Sequence, residues 1–407
     1  MKSLSYIVNA GKKSPRNGSG LEEYSDEEAA RAHAFHKSFT EYAPTPLVRL
    51  NALAQDLGLG GIFVKDESKR FGLNAFKVLG GAYAIGRYLA EKLGEPIESL
   101  TREKLCSPAV REKLGDITFV TATDGNHGRG VAWTAQQLGQ KAVVFMPVGT
   151  AAIRAENIRK TGATCTITDL NYDEAVRLAN DYANGHNGVM VQDTAWEGYE
   201  DIPRWIMQGY MTLARETVSQ LSGYGVERPT HLFLQAGVGS FAGAVLGYFA
   251  ANYGDDMPVT TIVEPHLANC IYGSLKAADG MPHPVTGQMP TIMAGLACGE
   301  PSTVSWNAIR DYAAAALSCG DSIAANGMRI LAAPRPGDVP VVSGESGAVT
   351  AGALEYIMKH ASMADLRRTL GLDAQSRVLL ISTEGDTSPE IYRDIVWYGQ
   401  YPCQEKE

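Results

Sequence analysis

The chain has 407 residues, 45% hydrophobic and 20% charged, the make-up of a globular protein long enough for two or three domains. Its formal net charge is −9, and with no basic block this argues against a role on nucleic acid. No run approaches about 18 consecutive apolar residues, so no membrane-spanning helix is expected, and the opening MKSLSYIVNAGKKSP has too short an apolar run for a signal peptide. Six cysteines, Cys106, Cys165, Cys270, Cys298, Cys319 and Cys403, lie far apart without a CxxC. Scattered thiols of this kind fit a reducing, cytoplasmic setting.

Along the chain, short apolar runs alternate with amphipathic stretches. GIFVKD (61–66) reads as the first buried strand, and the apolar stretch after Lys77 as a helix. Residues 91–116 are charged with weak apolar periodicity and read as a surface insertion. Next come four strand-like runs, ITFVTAT (117–123), KAVVFMP (141–147), ATCTITD (163–169) and GVMVQD (188–193). Between them lie the helical patterns VAWTAQQLG (131–139), AAIRAENIRKTG (151–162) and NYDEAVRLANDYANG (171–185). A long helix, DIPRWIMQGYMTLARETVSQL (201–221), precedes the strands THLFLQA (230–236), VTTIVEP (259–265) and SRVLLIST (376–383). Such alternation implies βαβ units, parallel sheets and an open α/β architecture with ligands at the carboxyl ends of strands. The expected division is a small domain, 87–187, within a discontinuous large one, 1–86 and 188–407.

Three segments carry chemistry. Lys77 has Phe76 before it and Val78, Leu79, Gly80 and Gly81 after it, which leaves its ammonium little polar surface. A desolvated lysine loses proton affinity from its reference of about 10.4, as imine-forming lysines require. Position 76 is not glycine, which excludes a GxxxxGK[ST] phosphate loop. In TATDGNHGRG (121–130) Asp124 precedes Asn126 in a tight turn, and it is either the cap of the helix starting near His127 or a working carboxylate. His127, beside glycines at a helix start, reads as structural. QAGVGSFAGAVLGYFAANYG (235–254) opens a helix after a strand. There the backbone amides of Gly237, Val238, Gly239 and Ser240 form an anion cradle. The turn suits a single phosphate. A dinucleotide GxGxxG fits less well, because Gly243 falls one position late, although Glu264 ends the next strand where a ribose-binding acid belongs. HExxH, GxSxG and metal-like spacings do not occur, so no catalytic metal is expected.

Lys77 in NAFKVLGGA, Asn126 in DGNHGRG and the GVGS loop stand in an order and spacing that resembles the fold-type II pyridoxal-phosphate enzymes, which include the serine and threonine dehydratases. APTPLVRL (43–50) is similar to their opening segment and LLISTEGD (379–386) to their last core strand. The resemblance implies a tryptophan synthase β-like architecture of two open α/β domains with mostly parallel sheets. It also implies pyridoxal 5'-phosphate as cofactor, a small amino-acid substrate and a homodimer. Within the group, TATDGNHGRG and VQDTAWEGYEDIPRWIMQGY (191–210) resemble the diaminopropionate ammonia-lyases. That likeness implies elimination of ammonia from 2,3-diaminopropionate, in one or both enantiomers, giving pyruvate and two ammonia.

By the same resemblance Lys77 is the Schiff-base lysine, Asn126 touches the ring hydroxyl and Gly237 to Ser240 hold the phosphate. Ser382 or Thr383 faces the pyridine nitrogen, where a hydroxyl favours elimination. Asp124 stands where dehydratases usually carry serine, across the cofactor from the lysine. A carboxylate there is a competent base and suits a β-ammonium. Asp193 is a second candidate for that charge, or else a cap or turn former, and Glu197, Glu200 and Asp201 follow it closely. Thr123, with the amides around Gly125, is placed to receive the substrate carboxylate. Tyr199, Trp196 and Trp205 read as core or pocket wall. GESGA (344–348) departs from the dehydratase EPSGA, so Glu345 takes only a helix-capping role. Rival readings are a serine/threonine dehydratase or β-replacement enzyme, a nicotinamide-dependent oxidoreductase using GVGSFAG with Glu264, and a non-catalytic relative.

Overall fold

A computed structural model of the chain describes residues 3–17 and 20–403. Among these residues the strands are, in chain order, β1 (Leu4–Val8), β2 (Leu47–Arg49), β3 (Gly61–Asp66), β4 (Thr118–Ala122), β5 (Lys141–Met146) and β6 (Thr164–Ile167). They continue with β7 (Val189–Met190), β8 (His231–Gln235), β9 (Val259–Pro265), β10 (Ala315–Cys319) and β11 (Arg377–Ser382). The helices that matter below are α1 (Val78–Leu93), α2 (Asn126–Gln137), α3 (Ala152–Arg159) and α4 (Tyr172–Gly185). After them come α5 (Asp201–Ser222), α6 (Ser240–Tyr253), α7 (Cys270–Ala277) and α8 (Glu345–Lys359).

Contacts divide the chain into two compact units. One comprises Met1–Ser25, Thr45–Lys69 and Leu213–Glu407 and holds a seven-stranded sheet in the order β1-β10-β9-β8-β11-β3-β2. Its five inner strands are parallel, and only β1 and β2 at the edges run antiparallel. β3, β8 and β10 are buried along their whole length, which is why the first two read as unbroken apolar runs. The core gathers Ile62, Val64, Phe233, Val263, Leu317, Val349, Leu354 and Leu380. Lys65 ends up fully buried there, its Nζ donating to Glu216 Oε2 (2.7 Å), the Thr45 carbonyl (2.8 Å) and Gln220 Oε1 (2.9 Å). Those partners satisfy all three of its donors.

The other unit comprises Asp26–Pro44 and Arg70–Thr212, with an all-parallel sheet in the order β6-β5-β4-β7. Ala175, Ala179 and Ala183 line one face of α4 at four-residue spacing and pack with Val120, Ala122 and Met190. Strand β7 is only two residues long although GVMVQD reads as longer. Beyond it the Gln192 side chain takes over the bonding, accepting from the Ala122 amide (3.1 Å) and from Thr121 Oγ1 (2.9 Å).

These bounds differ from 87–187. Helix α1 belongs with the four-stranded sheet because it packs on α2 and lies close against α5. A Cβ at Gly80 would sit 2.6 Å from the Tyr210 ring. The 91–116 stretch is anchored by buried Ile97, Leu100, Leu105, Val110 and Leu114 on short helical turns, so it is more than a solvated insertion.

Candidate active site

Lys77 immediately precedes α1, and its Nζ lies 2.6 Å from Asp193 Oδ2. The two side chains are 18% and 7% exposed. Burial is the largest influence on the ammonium and acts to lower its proton affinity. Asp193, aided by Tyr210 and Asp124, more than reverses this, so the amine holds its proton more tightly than an ordinary lysine. The weakly basic lysine expected from its apolar neighbours is thereby corrected, because a buried carboxylate stands beside it. Asp193 is the mirror case. Burial acts to raise its carboxyl, but Lys77 and His127 outweigh burial and bring it down to about 2.

Several groups hold Asp193 in place. His127, on the first turn of α2, bonds through Nε2 to the Val191 carbonyl at 2.8 Å, so that nitrogen carries the proton. Its Nδ1 faces Asp193 Oδ2 at 3.9 Å and is buried without a hydrogen-bond partner among the described residues. Burial, opposed by Asp193, lowers the proton affinity of the ring, which keeps it neutral. Tyr199 Oη accepts from the Gln192 amide (2.7 Å), donates to the Met190 carbonyl (3.1 Å), and its ring stacks on Trp196. The neighbouring acids are not drawn in: Glu197, Glu200 and Asp201 are exposed, and the last two pair with Arg204.

Tyr210 is a site residue that the sequence reading passed over. Its ring lies 4.7 Å from that of Phe76, and its buried hydroxyl has no hydrogen-bond partner among the described residues. Burial, reinforced by Asp193, raises its phenol well above the ordinary range. The signal was the conspicuous VQDTAWEGYEDIPRWIMQGY, which ends on this residue.

The Asp124 turn decides between cap and tool. Asn126 opens α2, and the cap position is Gly125, at φ +153°, with no side-chain cap bond. Such a φ favours glycine. Asp124 therefore does not cap the helix. Its carboxylate pairs instead with Arg154 of α3, whose Nη1 donates to Asp124 Oδ2 and to the Asp124 carbonyl, both at 3.2 Å. Thr123 Oγ1 accepts from the Gly125 amide at 2.9 Å, closing the turn on itself.

The remaining candidates belong to the larger unit. Gly237, Val238, Gly239 and Ser240 turn from β8 into α6. Gly239, at φ +97°, is the cap, and a Cβ on it would meet Ile309 Cδ1 at 2.9 Å. The turn thus puts backbone, not side chain, at the positive end of a helix. Ser382 and Thr383 are both buried at the end of β11. Ser382 Oγ donates to Ser343 Oγ (2.8 Å), and Gln235 Nε2 donates to Thr383 Oγ1 (2.8 Å).

Two acids there prove structural. The capping role expected of Glu345 is shared differently: Gly344 is the cap residue of α8, Glu345 lies in its first turn, and the Ser346 amide donates to Glu384 Oε1. Glu264 spends both carboxylate oxygens on the Ile271 and Tyr272 amides at the start of α7 (2.9 and 2.6 Å), which removes it as a ribose ligand.

Burial pushes the Glu264 carboxyl up to about 8 against those two donors, from an ordinary 4.5. The folded value lies above the unfolded one, so this stability is full below about 4.5 and declines as pH rises through about 8. Glu264→Gln cannot titrate and should flatten that decline in urea midpoints measured from about pH 5 to 9. An unchanged slope would place its source elsewhere.

A buried amine, two buried polar atoms without protein partners near it, and a glycine turn opening a helix are the features a pyridoxal phosphate site requires. The sequence model of the pyridoxal-phosphate dependent enzymes matches residues 39–384. The chain belongs to this family. Among pyridoxal-phosphate dependent enzymes it is 58% identical to the diaminopropionate ammonia-lyase of Salmonella typhimurium over 398 residues, covering 98% of each chain. Against that of Escherichia coli the figure is 51% over 385 residues, 95% of each. A crystal structure of the Escherichia coli enzyme with an aminoacrylate–PLP azomethine reaction intermediate superposes with a TM-score of 0.89 at 48% identity, covering 98% of both chains. The resemblance drawn from Lys77, Asn126 and the GVGS loop therefore holds. So does the fold class of a pyridoxal-phosphate dependent enzyme with mostly parallel sheets. Among the described residues no group of three or more His, Cys, Asp and Glu side chains is placed to hold a metal, and no helix is long and apolar enough to cross a membrane.

Proposed function

We propose that this chain is a carbon–nitrogen lyase that converts 2,3-diaminopropionate and one water into pyruvate and two ammonia. One observation carries the reading: Asp124 is not a helix cap but a partly exposed carboxylate paired through space with Arg154. It stands in the turn where related dehydratases have serine. The names of the relatives support the same substrate.

Bound through the Lys77 amine, pyridoxal phosphate would draw electrons from the substrate Cα and make its proton removable. Gly237, Val238, Gly239 and Ser240 would hold its phosphate, Asn126 its ring hydroxyl, and Ser382, or its neighbour Thr383, its pyridine nitrogen. Lys77 and Asp124 provide bases for the two enantiomers. Asp193 keeps the Lys77 amine positioned, and it and Asp124 are the carboxylates that would pair with the β-ammonium and carry its proton. Thr123, with the amides around Gly125, would receive the substrate carboxylate. The six free thiols support a cytoplasmic setting. Trp397 and Tyr398, 79% and 72% exposed, support a homodimer.

The test is pyruvate release from each enantiomer of 2,3-diaminopropionate set against serine and threonine. A kcat/KM at least about 100-fold higher for the diamino acid is expected. Equal or faster turnover of serine would move the chain to the dehydratases.

A further inference from the structure

Arg154 is assigned no part in the reaction by anything above, yet its placement is unusual. It occupies the third position of α3, where the helix end is positive and a cation is disfavoured. Its side chain is only 12% exposed and that of Asp124 22%. Several other arginines pair with acids three or four residues away on solvated helix faces, as Arg31, Arg204 and Arg368 do. Arg154 reaches back thirty residues instead, to a turn, and grips both the side chain and the backbone of one residue. The side chain also lies along Gly125, where a Cβ would meet Arg154 Cδ at 3.1 Å. The contact therefore fixes the rotation of the Asp124 carboxylate.

We infer that Arg154 is a positioning residue for Asp124, holding its carboxylate aimed, and thereby setting how well one substrate enantiomer is turned over relative to the other. This rests on the reading of Asp124 as a working carboxylate. Lys77 at the start of α1 and His127 on α2 also lie within electrostatic reach of Asp124. His127 is kept neutral by burial and Lys77 pairs with Asp193, whereas Arg154 bonds the Asp124 carboxylate directly. When Asp124 accepts a proton from the substrate Cα its charge vanishes and the guanidinium loses its partner. When the proton passes on to the departing amine, the pair re-forms. The proton therefore starts on carbon, resides on Asp124 and ends on nitrogen, with Arg154 favouring its departure.

The experiment measures kcat and kcat/KM of the holoenzyme for both enantiomers across pH, in wild type, Arg154→Ala, Arg154→Lys and Asp124→Asn. A visible spectrum and a cofactor titration establish that each variant binds pyridoxal phosphate. Arg154→Ala should lower kcat/KM for the Asp124-dependent enantiomer. Its kcat for that enantiomer should fall about ten- to a hundredfold, while the other changes by less than about threefold. Arg154→Lys should bring kcat most of the way back, and Arg154→Ala added to Asp124→Asn should have no further effect on turnover. An unchanged kcat in Arg154→Ala, or an equal loss for both enantiomers, overturns the assignment of Arg154 alone. If Asp124→Asn turns over both enantiomers like wild type, the parent reading fails and this one with it.

Discussion

Lys77→Ala should retain the fold and lose elimination by a factor of at least about 10⁴, because the group that links cofactor to protein is gone. Borohydride reduction of the wild-type holoenzyme should attach the cofactor covalently to the peptide containing Lys77, and Lys77→Ala should show no adduct. An adduct on another lysine would refute the assignment. The substitution also removes the ammonium beside Asp193, which is 7% exposed. Removing one partner of a buried pair costs about 3–5 kcal/mol, so the cofactor-free variant should unfold at distinctly lower urea. Lys77→Arg separates the two effects. It restores a cation beside Asp193 and should recover much of the stability, but it cannot form the imine and should stay inactive.

Asp193→Asn should strike from the opposite side. Without the carboxylate, burial acts on Lys77 unopposed except by Tyr210 and Asp124, and its proton affinity falls. In wild type the Asp193 carboxyl titrates at about 2 when folded against 3.8 ordinarily, so its contribution is present above about 3.8 and is lost as pH falls towards 2. The Lys77 contribution has the other sign, being complete below its ordinary 10.5 and lost only as pH climbs through a higher folded value. Wild-type, cofactor-free protein should therefore show a plateau from this pair between about pH 4 and 10. Asp193→Asn should sit about 3–5 kcal/mol below it at neutral pH and gain stability towards alkaline pH as the unpaired amine discharges. Urea midpoints against pH settle it, and superimposable profiles would mean that the pair contributes nothing. Turnover should fall about 10²–10⁴-fold if Asp193 also assists the leaving amine.

How far these features could be read from the residues depends on how local their causes are. GIFVKD, THLFLQA and VTTIVEP announce parallel strands because both faces are covered and the burial is written into consecutive residues. β10, with the sequence AALSC, is just as buried but lacks the β-branched and aromatic residues that mark a strand. β1 and β2 are short edge strands, and β1 pairs with β10 at the far end of the chain. The same rule governs the site. The apolar neighbours of Lys77 were visible. Its proton affinity was not, because the partner that reverses the effect of burial is 116 residues away. The choice between cap and tool at Asp124 turned on an arginine in another helix, and the capping expected of Glu345 on Glu384 from the end of a strand. Residue type and spacing identify which groups can do chemistry, and tertiary partners decide their charge and aim.

Lys77, Asp124, Asn126 and Asp193 all fold within one compact unit, whereas Gly237 to Ser240 and Ser382 fold within the other. The groups proposed to move protons and those proposed to grip an anion are thus supported by separate hydrophobic cores. Changes that share no partner act additively, so drift beneath the glycine turn should leave the Lys77–Asp193 titration of the cofactor-free protein as it was. A lineage built this way can inherit its grip on the cofactor unchanged and acquire new substrates by altering a single turn.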